Sequence, residues 1–175
     1  MIPRNLLPEG LVAFIAGGYA ACPALAEDMD VWVSTRLSRK PVLPLPELRQ
    51  LILDHLKQQG FMFAPQDDTR QTEAGLEGYE IEVNILKVAM VSGESLFESD
   101  YRLPIHILVT DANCSQVLEG FDISTHQVAL TYDGPVVGRD WTPLTEEPVV
   151  LKNSPKTPAR LEKIRNRYKG AYAQV

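Results

Sequence analysis

The segment from Leu11 to Val33 constrains this chain more than any other. Leu11 to Ala16 is a short apolar run that stops at Gly17-Gly18, which reads as a buried strand entering a tight turn; a short helix is expected over Ala20 to Ala26. Asp28 to Ser34 then sets Met29, Val31 and Val33 against Asp28, Asp30 and Trp32, the alternation of a strand with one face in a core. Carboxylates at i and i+2 of a strand project from the same face, so the fold must accommodate Asp28 and Asp30 as neighbours.

The rest of the chain mixes helix and strand signals. Pro46 stands in the first turn of a helix whose Leu48, Leu51, Ile52 and Leu56 share a face and which stops at Gly60. Phe61 to Phe63 is a candidate short strand, and the polar stretch from Gln66 to Gly78 reads as a loop. Tyr79 to Val91 alternates Tyr79, Ile81, Val83 and Ile85 with Glu80, Glu82 and Asn84, predicting a strand, and Leu103 to Thr110 predicts another. Asn113 to Gly120 reads as a short helix, and Phe121 to Tyr132 as β-rich up to the turn signal Asp133-Gly134. Thr157-Pro158 is a helix cap and first turn, with Leu161, Ile164 and Tyr168 on one face of a last helix that ends at Gly170. The expectation is one α+β domain over residues 1–175, a mixed, mostly antiparallel sheet flanked by helices, with a basic C-terminal helix at about 157–170.

A chain of 175 residues with 45% apolar side chains can bury one sizeable core. Its formal charge of −6 repels a phosphate backbone on average, which argues against broad, non-specific nucleic-acid binding. Cys22 and Cys114 form no Cys-x-x-Cys, so no structural zinc site is expected, and the scattered His55, His106 and His126 all read as structural. Neither G-x-x-x-x-G-K-[ST] nor G-x-G-x-x-G occurs. Arg4, the apolar run to Cys22 and Ala24-Leu25-Ala26 imitate an export signal cleaved before Glu27, yet Gly17-Gly18 and Pro23 break that run. The segment is therefore read as structure and the protein as cytoplasmic. No other stretch approaches the roughly 20 apolar residues of a membrane span, so no membrane partner is expected.

The chemistry concentrates in the first segment. Paired aspartates on a strand face suit divalent cations, and Mg²⁺ prefers carboxylate and phosphate oxygens. Glycines at 17 and 18 let a backbone approach a ligand closely, and the start of the next helix offers N–H groups to phosphate oxygens. Phe14-Ile15-Ala16-Gly17-Gly18-Tyr19, followed by Asp28-Met29-Asp30-Val31-Trp32-Val33, resembles the first motif of the DNA polymerase beta-like nucleotidyltransferase superfamily. Downstream, Val117 to Ser124 and then Tyr132-Asp133-Gly134 look like the third-carboxylate strand of nucleotidyltransferase-like proteins of phages and large DNA viruses.

The resemblance implies a metal-dependent nucleotidyltransferase that moves a nucleoside monophosphate from a triphosphate such as ATP to a hydroxyl, releasing pyrophosphate. Two Mg²⁺ ions, or Mn²⁺, would be held by Asp28, Asp30 and Asp122, which also serve as the catalytic residues. Gly17 and Gly18, with Tyr19 beside them, would hold the triphosphate. The acceptor would be RNA, a protein side chain or a small molecule. Glu80 and Glu82 are rival third carboxylates; Asp122 is preferred because its wider context carries the resemblance and its shorter side chain has less rotamer freedom. Departures are the glycine at 18, where many members have serine, and a length that leaves no room for a large helical acceptor domain. In the C-terminal helix, Arg160 and Lys163 are candidate contacts to the triphosphate or an RNA acceptor, Trp32 a candidate for base stacking, and Arg36, Arg39 and Lys40 further phosphate contacts. The competing expectation is a degenerate nucleotidyltransferase fold acting as a nucleotide- or protein-binding, antitoxin-like partner.

Overall fold

The computed structural model describes residues 2–37, 43–84 and 103–172. In chain order the elements are β1 (Leu11–Ala16), α1 (Gly18–Ala21), β2 (Met29–Leu37), α2 (Leu45–Gln58), β3 (Phe63–Pro65), β4 (Arg70–Gln71) and β5 (Glu77–Val83). There follow β6 (Ile105–Thr110), α3 (Cys114–Gly120), β7 (Val128–Thr131), β8 (Gly134–Val137) and α4 (Thr157–Tyr172), with 3₁₀ turns at Pro23–Leu25 and Ser124–His126. This is an α+β fold. Eight strands form one mixed sheet in the order β3-β5-β6-β2-β1-β7-β8, with β4 also paired to β5. The β2–β6 pair is parallel and the other neighbours are antiparallel.

The alternation in the sequence becomes two apolar faces. Met29, Val31 and Val33 of β2 join Ile105, Ile107 and Val109 of β6 on one face, where Leu48, Ile52 and Leu56 of α2 pack against them. These three leucine and isoleucine positions are spaced four residues apart, which keeps them on one helical stripe. Fully burying each such side chain stabilises the fold by roughly 1.5–3 kcal/mol. On the other face Phe14, Trp32 and Leu108 pack with Val117, Leu118 and Phe121 of α3 and the residue after it. An Asn113–Gln116 capping box starts α3, each side chain bonding the other's backbone N–H at 2.9 Å. Ile164 and Tyr168 seat α4 on Ile123 in a third, smaller cluster.

Several expectations shift. The loop predicted from Gln66 to Gly78 contains β4 and the start of β5, which pair as a hairpin. Of the Tyr79 to Val91 strand, residues 79–83 lie in β5, whereas 85–91 fall outside the described residues. Leu51 is 41% exposed, off the stripe that α2 buries. Phe121 to Tyr132 is not one β-rich run, because the Ser124–His126 turn separates Asp122 from β7. Helix α4 continues through Gly170 to Tyr172. No helix among the described residues is long and apolar enough to cross a membrane.

Candidate metal centre

Strand register assembles the site. In the parallel β2–β6 ladder Asp30 lies opposite His106, and in the antiparallel β5–β6 ladder Glu82 does. Among the described residues Asp28, Asp30 and His106 form a group whose potential ligand atoms all lie within 4.8 Å of one another. With bonds near 2.1 Å, two ligands of one Mg²⁺ stand at most about 4.2 Å apart. Small side-chain adjustments therefore bring the group to within reach of a single ion.

Burial and neighbouring charges set how the site titrates. Asp30 is 8% exposed. Burial pushes its carboxyl well above the usual range, and Glu73 and Asp28 push further, opposed by His106. His106 Nδ1 lies 2.9 Å from Glu80 Oε1 and 3.9 Å from Asp30 Oδ1. The hydrogen bond to Glu80 raises the imidazole pKa to about 9, while the same bond lowers that of Glu80. At neutral pH His106 is thus a cation beside Asp30, and it becomes a ligand only by releasing a proton. The donor set fits Mg²⁺ or Mn²⁺ through its carboxylates, and the imidazole adds affinity for softer ions. Glu73, in the tight turn before β5, is raised by burial, opposed by Arg160, and raised again by Asp28 and Asp122. It is an exposed residue, so water screens its share more than that of Asp30. Its turn is fixed by close packing, since a Cβ at Gly120 would collide with the Ala74 carbonyl.

Asp122 does not join the Asp28–Asp30–His106 group. Its Oδ2 accepts from Thr157 Oγ1 at 2.7 Å and from Arg160 Nη1 at 3.0 Å, tying it to the first turn of α4. Lys163 pairs with Glu27 at 2.9 Å, and Arg167 with the same carboxylate at 3.1 Å. The basic helix is therefore held against the residue that precedes Asp28. Gly17 sits at φ 87°, a region open to glycine, and its N–H is committed to the Val128 carbonyl at 3.3 Å. Gly18 faces Arg167, and α1 is only one turn long. Tyr19 is 4% exposed in the core beside α2, and Trp32 is fully buried edge-on to Phe121, so neither offers a stacking surface. Glu80 is taken by His106, and Glu82 is exposed. Arg39 and Lys40 lie outside the described residues, as does the Arg36 side chain.

Two contributors escaped sequence reading. His106 carries a signal only in hindsight, as the polar position between Ile105 and Ile107; its partnership with Asp30 needs the β2–β6 register. Glu73 lies in a polar stretch with no periodicity to aim it. A cavity of ≈ 640 Å³ elsewhere, between the N-terminal segment and Tyr132-Asp133, is lined by none of these acids. Comparison with protein-family models finds no match for this chain, and neither does a search of curated proteins.

Proposed function

We propose that the protein is a metal-dependent nucleotidyltransferase acting on a nucleoside triphosphate. The observation that supports this best is the convergence of Asp28 and Asp30 with His106 within 4.8 Å, with the basic helix paired to Glu27, the residue before Asp28. Asp28 and Asp30 would hold Mg²⁺ or Mn²⁺, which supplies Lewis-acid activation of a hydroxyl and stabilises the leaving pyrophosphate. The acceptor oxygen bonds to the α-phosphorus, the bond from that phosphorus to the bridging oxygen breaks, and the hydroxyl proton passes to a carboxylate of the site. Burial, Glu73 and Asp28 raise the Asp30 carboxyl, and a bound cation would favour its charged form. Arg160 and Lys163 supply positive charge that offsets repulsion between the acids and a triphosphate.

One observation favours a second reading. Asp122, the expected third carboxylate, is committed to Thr157 and Arg160, as befits a protein that binds metal and nucleotide without transferring. Incubation with each α-labelled triphosphate, Mg²⁺ or Mn²⁺, and mixed cellular RNA and protein separates the two. Transfer predicts label in a macromolecular or small-molecule fraction that disappears in Asp28→Asn. Metal-dependent nucleotide binding without any labelled product favours the second reading, and absence of both sinks both.

A further inference from the structure

Where α4 meets Glu27, two cations share one carboxylate, as in an occupied anion site. If Gly18 carried a Cβ, that atom would lie 3.6 Å from Arg167 Nη1 and 4.0 Å from His126 Nε2, ordinary contact distances, so α4 packs closely on the Gly18 turn. Arg167 is 15% exposed and Lys163 59%, and both lean on Glu27, which is itself 65% exposed. An opening of ≈ 580 Å³ lies around these ion pairs, lined by Glu27, Glu162, Lys163, Asn166 and Arg167 among others. A guanidinium taken this far from water is costly without an anion, whereas a carboxylate on the surface is held weakly. The arrangement has a fixed cationic receptor and an easily removed occupant.

We infer that Lys163 and Arg167 form a phosphate site in this opening, that the chain's own Glu27 occupies it in the free protein, and that an incoming phosphate displaces Glu27. The inference rests on the nucleotidyltransferase reading for its ligand, a polyphosphate, and adds the regulation of that site by an internal competitor. Phosphate suits the receptor better than a carboxylate because its additional oxygens can meet a guanidinium fork and an ammonium together. Glu27 immediately precedes Asp28, so its release loosens the chain at the metal group just as substrate arrives.

The test is calorimetric titration of inorganic pyrophosphate at low salt in the presence of EDTA, which removes metal from the comparison. Glu27→Gln should bind pyrophosphate about three- to fivefold more tightly than wild type, a factor typical of losing exposed ion pairs. Glu162→Gln takes the same charge from the same opening without unpairing Lys163 or Arg167, and should give under half that gain. Lys163→Gln should weaken binding in both the wild-type and Glu27→Gln backgrounds. ATP should follow the same order across variants as pyrophosphate. Equal gains in Glu27→Gln and Glu162→Gln would reduce the effect to overall charge and overturn the inference. So would an unchanged Glu27→Gln, an unchanged Lys163→Gln, or pyrophosphate that binds no variant. A separate Mn²⁺ titration of wild type and Asp28→Asn reads the metal group, so loss of this inference is distinguishable from loss of the proposed function.

Discussion

At the scale of the residue, Asp30 and two histidines set how the molecule responds to pH. The folded pKa of Asp30 is raised, so the fold favours its neutral form and is increasingly penalised as pH rises above the ordinary value of 3.8. Asp30→Asn should raise the melting temperature at pH 7 by a few degrees while removing divalent-metal binding; a lower melting temperature would contradict the repulsion described here. His126 is depressed from 6.5 to about 4, first by burial and then by Arg167. Its stabilising contribution is present above pH 6.5 and is lost as pH falls towards 4, on the order of 3 kcal/mol at most. His106 runs the other way: with its pKa raised from 6.5 to about 9, its contribution is complete below pH 6.5 and is lost as pH rises through 9. Stability should therefore be greatest near neutrality. Urea melts across pH should show the acid limb flattened by His126→Gln and the alkaline limb by Glu80→Gln, and unchanged limbs would remove these pairs from the explanation.

At the scale of the element, α4 and the turn before β5 flank Asp122 and Glu73, with Arg160 acting on both. Arg160→Gln leaves the buried Asp122 with Thr157 alone, which should cost about 1–3 kcal/mol in chemical denaturation. Gly120→Ala forces α3 and the Ala74 carbonyl apart and should cost a similar amount, about 1–3 kcal/mol, with amide exchange rising first around Thr72 to Leu76. No loss in either variant would mean that these contacts do not hold the elements in place. The elements legible in the sequence were those with a repeating apolar pattern: β1, β2, α2 and α4 stand within a few residues of expectation because their buried faces recur at fixed spacing. The edge strands β4 and β8 were not legible, being two and four residues long and largely exposed. Asp122 illustrates a different limit. Its apolar neighbours Phe121 and Ile123 imitate a strand, but the residue lies between α3 and a 3₁₀ turn and turns towards α4, a choice made by tertiary contacts. The aspartate pair was legible because Asp28 and Asp30 stand two residues apart, although β2 begins at Met29 and Asp28 lies just before it; His106 and Glu80 come from other strands and Glu73 from a turn, so only tertiary structure brings them in.

At the scale of the whole molecule, the sheet divides the labour. One face is sealed by α2, and the other carries the Trp32–Phe121 core and, at the start of β2 and β6, the acidic group. A formal charge of −6, with Asp28, Asp30, Glu73, Glu80 and Asp122 acting on one another's charge, makes cation binding the natural partner of anion binding, so metal and triphosphate should bind cooperatively. The most direct measurement is the melting temperature of wild type and Asp28→Asn with Mn²⁺ alone, ATP alone and both together. A ligand pair at about 100 times its dissociation constant should raise the wild-type midpoint by about 5–10 °C when both are present, well beyond the sum of the single additions, and leave Asp28→Asn unmoved. No shift with both ligands at saturating concentration, or an equal shift in Asp28→Asn, would contradict the claim that the aspartate pair holds a metal–nucleotide complex.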